Sequence, residues 1–154
     1  KKLNKNDAKI CIELIHLESN HFHQFKKNGW SDNQIKEQFN KEINFSLGLF
    51  KDNLLISFMI GDLIYVEKST EYEILILYVQ TTNRRKGLAT KLLNYLNKQK
   101  KLLKLKKIYL EVSQSNNKAV FFYEKNKFKL INIRSKYYVE GNEKLDAMCY
   151  CKIL

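Results

Sequence analysis

Apolar and polar positions divide the chain into short segments of two different periods. Ile74 to Val79 is a continuous apolar run rich in residues that favour extended structure, and the polar Gln80-Thr81-Thr82-Asn83 stops it. This pattern predicts a buried strand. From Leu88 onward the apolar residues fall at Leu88, Ala89, Leu92, Leu93 and Leu96, with Lys91, Asn94 and Lys98 on the other face, which predicts an amphipathic helix.

Before this unit, Ile10, Leu14, Ile15, Leu17 and Phe22 gather on one side of a helix running from about Asp7 to about Phe25. Ser31 and Gln34 form a capping box for a second helix reaching about Lys41, with Trp30 ahead of the cap as a staple. Apolar runs at 45–50 and 54–63, joined by Lys51-Asp52-Asn53, predict a hairpin, and a turn around 67–70 leads into the central strand. After the long helix come a strand at 108–112, a capped short helix at 115–124, and strands at 128–133 and 146–153. A polar loop, 134–142, is expected between the last two. The order predicts an α/β (α+β) fold on a mixed, mostly antiparallel sheet.

At 154 residues the chain reads as one domain, 1–154, and no apolar run approaches the ~20 residues that cross a membrane. The polar start shows no signal-peptide pattern, so a cytoplasmic protein with no membrane partner is expected. Cys11, Cys149 and Cys151 are expected as reduced thiols, the last two on one face of a strand. His21 and His23 form H-x-H without a Cys or carboxylate at ligand spacing, so no metal is expected.

The net charge is +12, yet only Arg84, Arg85 and Arg134 are arginines among 28 basic residues, and the lysines are spread along the chain. This reads as background composition, which draws coenzyme phosphates, acidic peptides or ribosomal RNA without choosing among them. The lysine-rich 98–107 ends the long helix. It reads as a solvated face, the alternatives being contact with RNA or with an outer phosphate.

The chemistry concentrates in four places. Arg84-Arg85-Lys86-Gly87-Leu88-Ala89 joins the strand to the helix, where a glycine, free N-terminal amides and cationic side chains suit a polyphosphate; a solvated basic turn has the same composition. It matches neither G-x-x-x-x-G-K-[ST] nor the dinucleotide fingerprint. Glu111 interrupts the apolar run 108–112, either as a buried carboxylate with a raised pKa or exposed at a strand end. Tyr123 is either core or a functional hydroxyl, and the adjacent Tyr137 and Tyr138 are either a packing latch or a peptide contact.

The loop resembles the [Q/R]-x-x-G-x-[G/A] acetyl-coenzyme A (acetyl-CoA) loop of the GNAT superfamily of N-acetyltransferases, with Arg84, Gly87 and Ala89 in its defined positions. The likeness covers nearly the whole chain. Trp30-Ser31, Leu110-Glu111-Val112 with Ser115-Asn116, Tyr123-Glu124, Arg134 with Lys136-Tyr137-Tyr138, and Asp146-Ala147-Met148 resemble the RimI-type ribosomal-protein alanine N-acetyltransferases. Thr81, Asn83 and Lys127 depart from the pattern. Lys127 stands where a glycine is common, so Asn126 or Lys127 is expected in the left-handed conformation.

This resemblance implies a sheet splayed at its central strands, with helices on both faces. It implies that the backbone of Leu77, Tyr78 and Val79 and the amides of the loop from Arg84, Arg85, Lys86, Gly87, Leu88, Ala89 and Thr90 hold acetyl-CoA, with Asn116 on the pantetheine from the other side. Glu111 is the implied general base and Tyr123 the general acid, in a direct transfer without an acyl-enzyme. Trp30, Tyr137 and Tyr138 line the slot for the N-terminus of a small-subunit ribosomal protein, bound by a monomer without DNA. The rivals are a GNAT enzyme for a polyamine, an antibiotic or a lysine side chain, and a non-catalytic basic module that binds RNA or the ribosome.

Overall fold

A computed structural model of the chain describes residues 1–18, 30–140 and 143–154. Seven strands form one sheet in the order β1-β2-β3-β4-β5-β7-β6. The strands are β1 (Lys2–Leu3), β2 (Ser46–Lys51), β3 (Leu54–Val66), β4 (Ser69–Val79), β5 (Leu105–Ser113), β6 (Lys129–Glu140) and β7 (Glu143–Ile153). Neighbours are antiparallel except β4 and β5, which run parallel. The helices are α1 (Ala8–His16), α2 (Asp32–Asn40), α3 (Leu88–Lys98), α4 (Lys100–Leu103) and α5 (Asn117–Lys125).

Each sheet face carries its own core. Leu92, Leu93 and Leu96 of α3 and Tyr123 of α5 pack with Tyr72, Ile74, Ile108, Leu110 and Val112. On the other face, Cys11, Ile12, Leu14 and Ile15 of α1 and Ile35 and Phe39 of α2 pack with Phe58, Ile60, Ile76 and Tyr78. Residues of β4 therefore change sides between Ile74 and Ile76. The cause is a register shift: Ile60 faces Ile76 while Gly61 faces Ile74, so Leu75 is the extra residue of a bulge. Gly61 permits it, since a Cβ there would collide with the Glu73 carbonyl and the Tyr72 ring.

The same region is where the sheet opens. Parallel pairing of β4 with β5 runs from Thr70↔Leu105 to Ile74↔Leu110 and goes no further. Beyond it β4 stays paired with β3 as far as Val79, and β5 with β7 as far as Ser113. A fork opens between them.

Many local expectations hold. Ser31 and Gln34 form the reciprocal capping box of α2, and Asp52 and Asn53 take positive φ in the β2–β3 turn. Asn116 caps α5, and Lys127 is the residue with φ 66°. Cys11, Cys149 and Cys151 are free thiols. Others need correction. Residues 134–140 continue strand β6, so Arg134, Tyr137 and Tyr138 stand on a strand where a polar loop was expected. The β-favouring Tyr137-Tyr138-Val139 carries it, and its polar side chains face solvent from the sheet edge. Helix α1 stops at His16 rather than near Phe25; His21 and His23 lie outside the described residues. Strand β1 is too short for any pattern to announce.

Gly61→Ala should lower stability by about 2–3 kcal/mol, because neither the Glu73 carbonyl nor the Tyr72 ring can retreat within a packed sheet. Thermal unfolding followed by circular dichroism should show a Tm lower by about 5–10 °C. An unchanged Tm would contradict this account of the bulge.

Candidate active site

Where β4 and β5 part, the facing edges at 75–79 and 111–113 have no ladder partner. Alternate residues of an extended strand direct N–H and C=O toward the gap, and such groups bind whatever strand-like chain enters it. Val79 O already accepts a bond from Arg84 Nε at 3.0 Å. The tip of the fork leads into Gly87, which caps α3 with φ 75° and has no side-chain bond to its amides. A Cβ placed on Gly87 meets nothing within 4 Å, and the first intrahelical bond is Lys91 N–H to Gly87 O at 2.9 Å. The amides of Leu88, Ala89 and Thr90 thus face open space at the positive end of the helix. The loop's cations divide their work. Lys86 Nζ donates to Thr82 O at 2.9 Å and Arg84 is turned back onto the strand end; all three cations of the loop, Arg85 included, are exposed.

Below the fork, on the α1–α2 face, Glu73, Tyr109, Glu111, Ile131 and Cys149 line a cavity of about 250 Å³. They converge because Glu73 sits opposite Tyr109 and Cys149 opposite Glu111 in register. Arg134 Nη1 of β6 reaches both oxygens of Glu111, at 2.7 and 3.0 Å, and Cys149 Sγ donates to Oε1 at 3.6 Å. Glu73 is half-buried and makes no hydrogen bond or ion pair among the described residues. Burial, then Glu111 and Asp62, push its pKa above the ordinary carboxylate value, with Lys41 opposing. Asp62 is itself held by Gln38 Nε2 at 2.5 Å.

Tyr123 lies on the other face, its ring edge-on to Phe122 and Phe128 at 5.3 and 5.4 Å. Its hydroxyl has no hydrogen-bond partner among the described residues, and burial and then Tyr138 raise its pKa above the ordinary phenol value. It stays a proton donor. The sheet thus separates the core that holds Tyr123 from the cavity that holds the two carboxylates.

Residues 13–128 match the model of the acetyltransferase (GNAT) family. The chain belongs to the GNAT acetyltransferases. It is 41% identical over 61 residues to an N-alpha-acetyltransferase of Saccharolobus solfataricus, a stretch covering 39% of this chain and 36% of that protein. Its fold resembles the ribosomal-protein-S18-alanine N-acetyltransferase of Escherichia coli, with TM-score 0.79, 20% identity, and coverage of 99% of this chain and 91% of that one. It also resembles NAA60 of Arabidopsis thaliana, solved with a bisubstrate analogue, with TM-score 0.77, 20% identity, and coverage of 99% and 95%. At these identities the two structures establish the fold.

In this GNAT chain the remaining expected site residues fall on two sides of the fork. Asn116 Oδ1 is used in capping α5, accepting from Ala119 N–H at 3.2 Å. The Tyr78 ring stacks on Phe58 at 5.4 Å, so only its backbone can face the gap. Tyr138 is half-buried, and burial together with Glu111, Tyr137 and Cys149 pushes its pKa up to about 12. Tyr137 stands edge-on to it at 5.1 Å and takes the Arg134 guanidinium on its face at 3.7 Å. Trp30 packs against the α1–α2 core.

Two residues carry no signal in the sequence. Glu73 directly precedes the apolar run Ile74 to Val79, and its depth depends on a fork that no periodicity reveals. Glu18 follows α1 and accepts from Thr81 N–H at 2.6 Å, Thr81 Oγ1 at 2.7 Å and the Tyr78 hydroxyl. Burial would raise its pKa, yet these bonds and the nearby Arg84 hold it below the ordinary value. It fastens the end of the first helix to the segment that leads from β4 into α3.

A carboxyl whose folded-state pKa is raised contributes its stability fully below the unfolded value and loses it as pH rises through the folded value. Replacing Glu73 with glutamine removes that loss. In urea unfolding, E73Q should be more stable than wild type at pH 7.5, with the gap closing as pH falls to 4; a gap independent of pH would refute the raised pKa.

Proposed function

We propose that this chain moves the acetyl group of acetyl-CoA onto the free N-terminal amine of a protein, with alanine or a similar small residue first, by direct attack in a ternary complex. The observation that carries this reading is the cavity shared by Glu73, just before the ladder ends, and Glu111, where the β5 edge opens, with Tyr123 in the core of the opposite face. The open backbone edge at Leu77 to Val79 takes the pantetheine arm as an added strand, and the amides from Arg85 to Thr90 take the pyrophosphate.

A peptide α-amine has a pKa near 8 and arrives mostly as ammonium at neutral pH. The carboxylates attract it and take its proton, directly or through a water. Glu111 is already engaged by Arg134, and the unpartnered Glu73 shares the task. The freed –NH2 forms a bond to the thioester carbonyl carbon and gives its second proton to solvent, the carbon–sulfur bond breaks, and Tyr123 supplies the proton that leaves coenzyme A as its thiol and regains one from solvent. Tyr137 and Tyr138 wall the acceptor side, and a small-subunit ribosomal protein is the acceptor that agrees with the RimI-like motifs.

An acidic cavity attracts any cationic amine, so a polyamine or lysine side chain is the competing acceptor. Thiol release from acetyl-CoA should be measured with peptides beginning in Ala, Ser, Met or Gly, an N-blocked peptide with an internal lysine, and a polyamine. Turnover is expected on unblocked Ala or Ser peptides, with E111Q lowering kcat by about 100-fold or more. Turnover confined to the lysine peptide or the polyamine would overturn the acceptor, and unaltered turnover in E111Q would overturn its catalytic role. Tyr123→Phe should lower kcat by about 10–100-fold with KM for acetyl-CoA little changed, since only leaving-group protonation is lost. A rise in that KM alone would reassign Tyr123 to binding.

A further inference from the structure

The end of the sheet remote from the coenzyme loop carries a surface that the acetyl-transfer chemistry leaves unused. Six of the ten residues from Lys98 to Lys107 are lysines and none is acidic, a density well above the spread of lysine along the rest of the chain. Lys107 is paired with Glu71 at 3.3 Å. Lys98, Lys100, Lys101, Lys104 and Lys106 have no ion pair or hydrogen bond through their side chains among the described residues. The fold places this run at the start of β4, where Thr70 N–H donates to Lys104 O at 3.0 Å and Thr70 pairs with Leu105. From Thr70 to Val79 the strand covers about 30 Å at ~3.3 Å per residue, so these lysines cannot serve a phosphate bound at Gly87.

Large apolar side chains stand exposed among them. Leu102 is 79% exposed between Lys101 and the half-buried Leu103. Tyr65, 74% exposed, pairs with Thr70, so Tyr65, Thr70 and Leu105 form one row across three strands, about 10 Å wide at ~4.8 Å per strand. Val66 and Lys68 are exposed at the same edge, where Glu67 is the acid of the turn.

We propose that this pole docks on an anionic lipid bilayer, with the lysines at the headgroup phosphates and Leu102 and Tyr65 at the acyl boundary. Charge complementarity selects a polyanion, and the exposed aliphatic Leu102 and Val66 select lipid over nucleic acid. RNA would use the lysines, but it gains nothing from Leu102, and no arginine stands in the run. No helix among the described residues is long and apolar enough to cross a bilayer. Peripheral docking needs no crossing segment, and it leaves the coenzyme loop pointing away from the surface.

The test is co-sedimentation of the whole chain with phosphatidylcholine vesicles, alone or with a third phosphatidylglycerol, at low and high salt, with polyuridylate as competitor. Binding is expected to the anionic vesicles only and to weaken with salt. Lys101→Ala, Lys104→Ala and Lys106→Ala together should weaken it about 100-fold, at about fivefold per lysine. Leu102→Ser should weaken it again without altering the salt dependence. These positions lie outside the fork, so acetylation by each variant in solution should match wild type and report an intact fold. Equal sedimentation with neutral vesicles, none with anionic ones, or indifference to the triple substitution would overturn the proposal. So would indifference to Leu102→Ser combined with displacement by polyuridylate, which would assign the pole to nucleic acid.

Discussion

A backbone amide or carbonyl removed from water must find a partner, and this sheet leaves a row of them unpaired at its centre. The parallel ladder between β4 and β5 ends at Ile74↔Leu110, although both strands continue. The bulge at Leu75 reverses the alternation of β4, so that Tyr72 and Ile74 before it serve one core and Ile76 and Tyr78 after it the other. Glu73 precedes the bulge and faces the α1–α2 side; Leu77 follows it and packs toward α3 and α5. The bulge and the end of the parallel ladder therefore fall at the same point of β4, between Glu73 on one face and Leu77 on the other.

The electrostatics follow from that placement. Glu73, Glu111 and Asp62 are kept near one another, and only part of their charge is offset, by Arg134 on Glu111 and by Lys41 beside Asp62. Burial then raises Glu73, the carboxylate left without a partner. On the opposite face the Tyr123 hydroxyl is raised and stays protonated. Half-buried carboxylates and a protonated phenol thus sit on opposite faces of the sheet, and Glu18 fastens the loop that leads into α3 through Thr81 and Tyr78.

Much of this was legible in the residues themselves. The run Ile74–Val79, the loop Arg84–Ala89 and the spacing of Leu88, Leu92 and Leu96 announce strand, turn and helix, since each is a local pattern with its own period. The capping box at Ser31 and the left-handed Lys127 were equally local. The extent of β6 was hidden because Arg134, Ser135 and Lys136 are polar, and an edge strand tolerates polar residues that a central one does not. Glu73 was hidden for a different reason. Its burial and its neighbours come from β3, β5 and α2, and no spacing within β4 encodes them. The pairing of Glu111 with Arg134 likewise joins residues brought together only through β7.

The central claim is that the open edge of β4 and the first turn of α3 receive acetyl-CoA together. Amide hydrogen exchange with and without the coenzyme tests it most directly. Slowed exchange at Leu75–Val79 and at Arg85–Thr90, with β2 and the β2–β3 turn unchanged, is the predicted result. Saturating coenzyme that leaves the β4 edge as exposed as before, or that protects the turn at 51–54 in its place, would contradict the account.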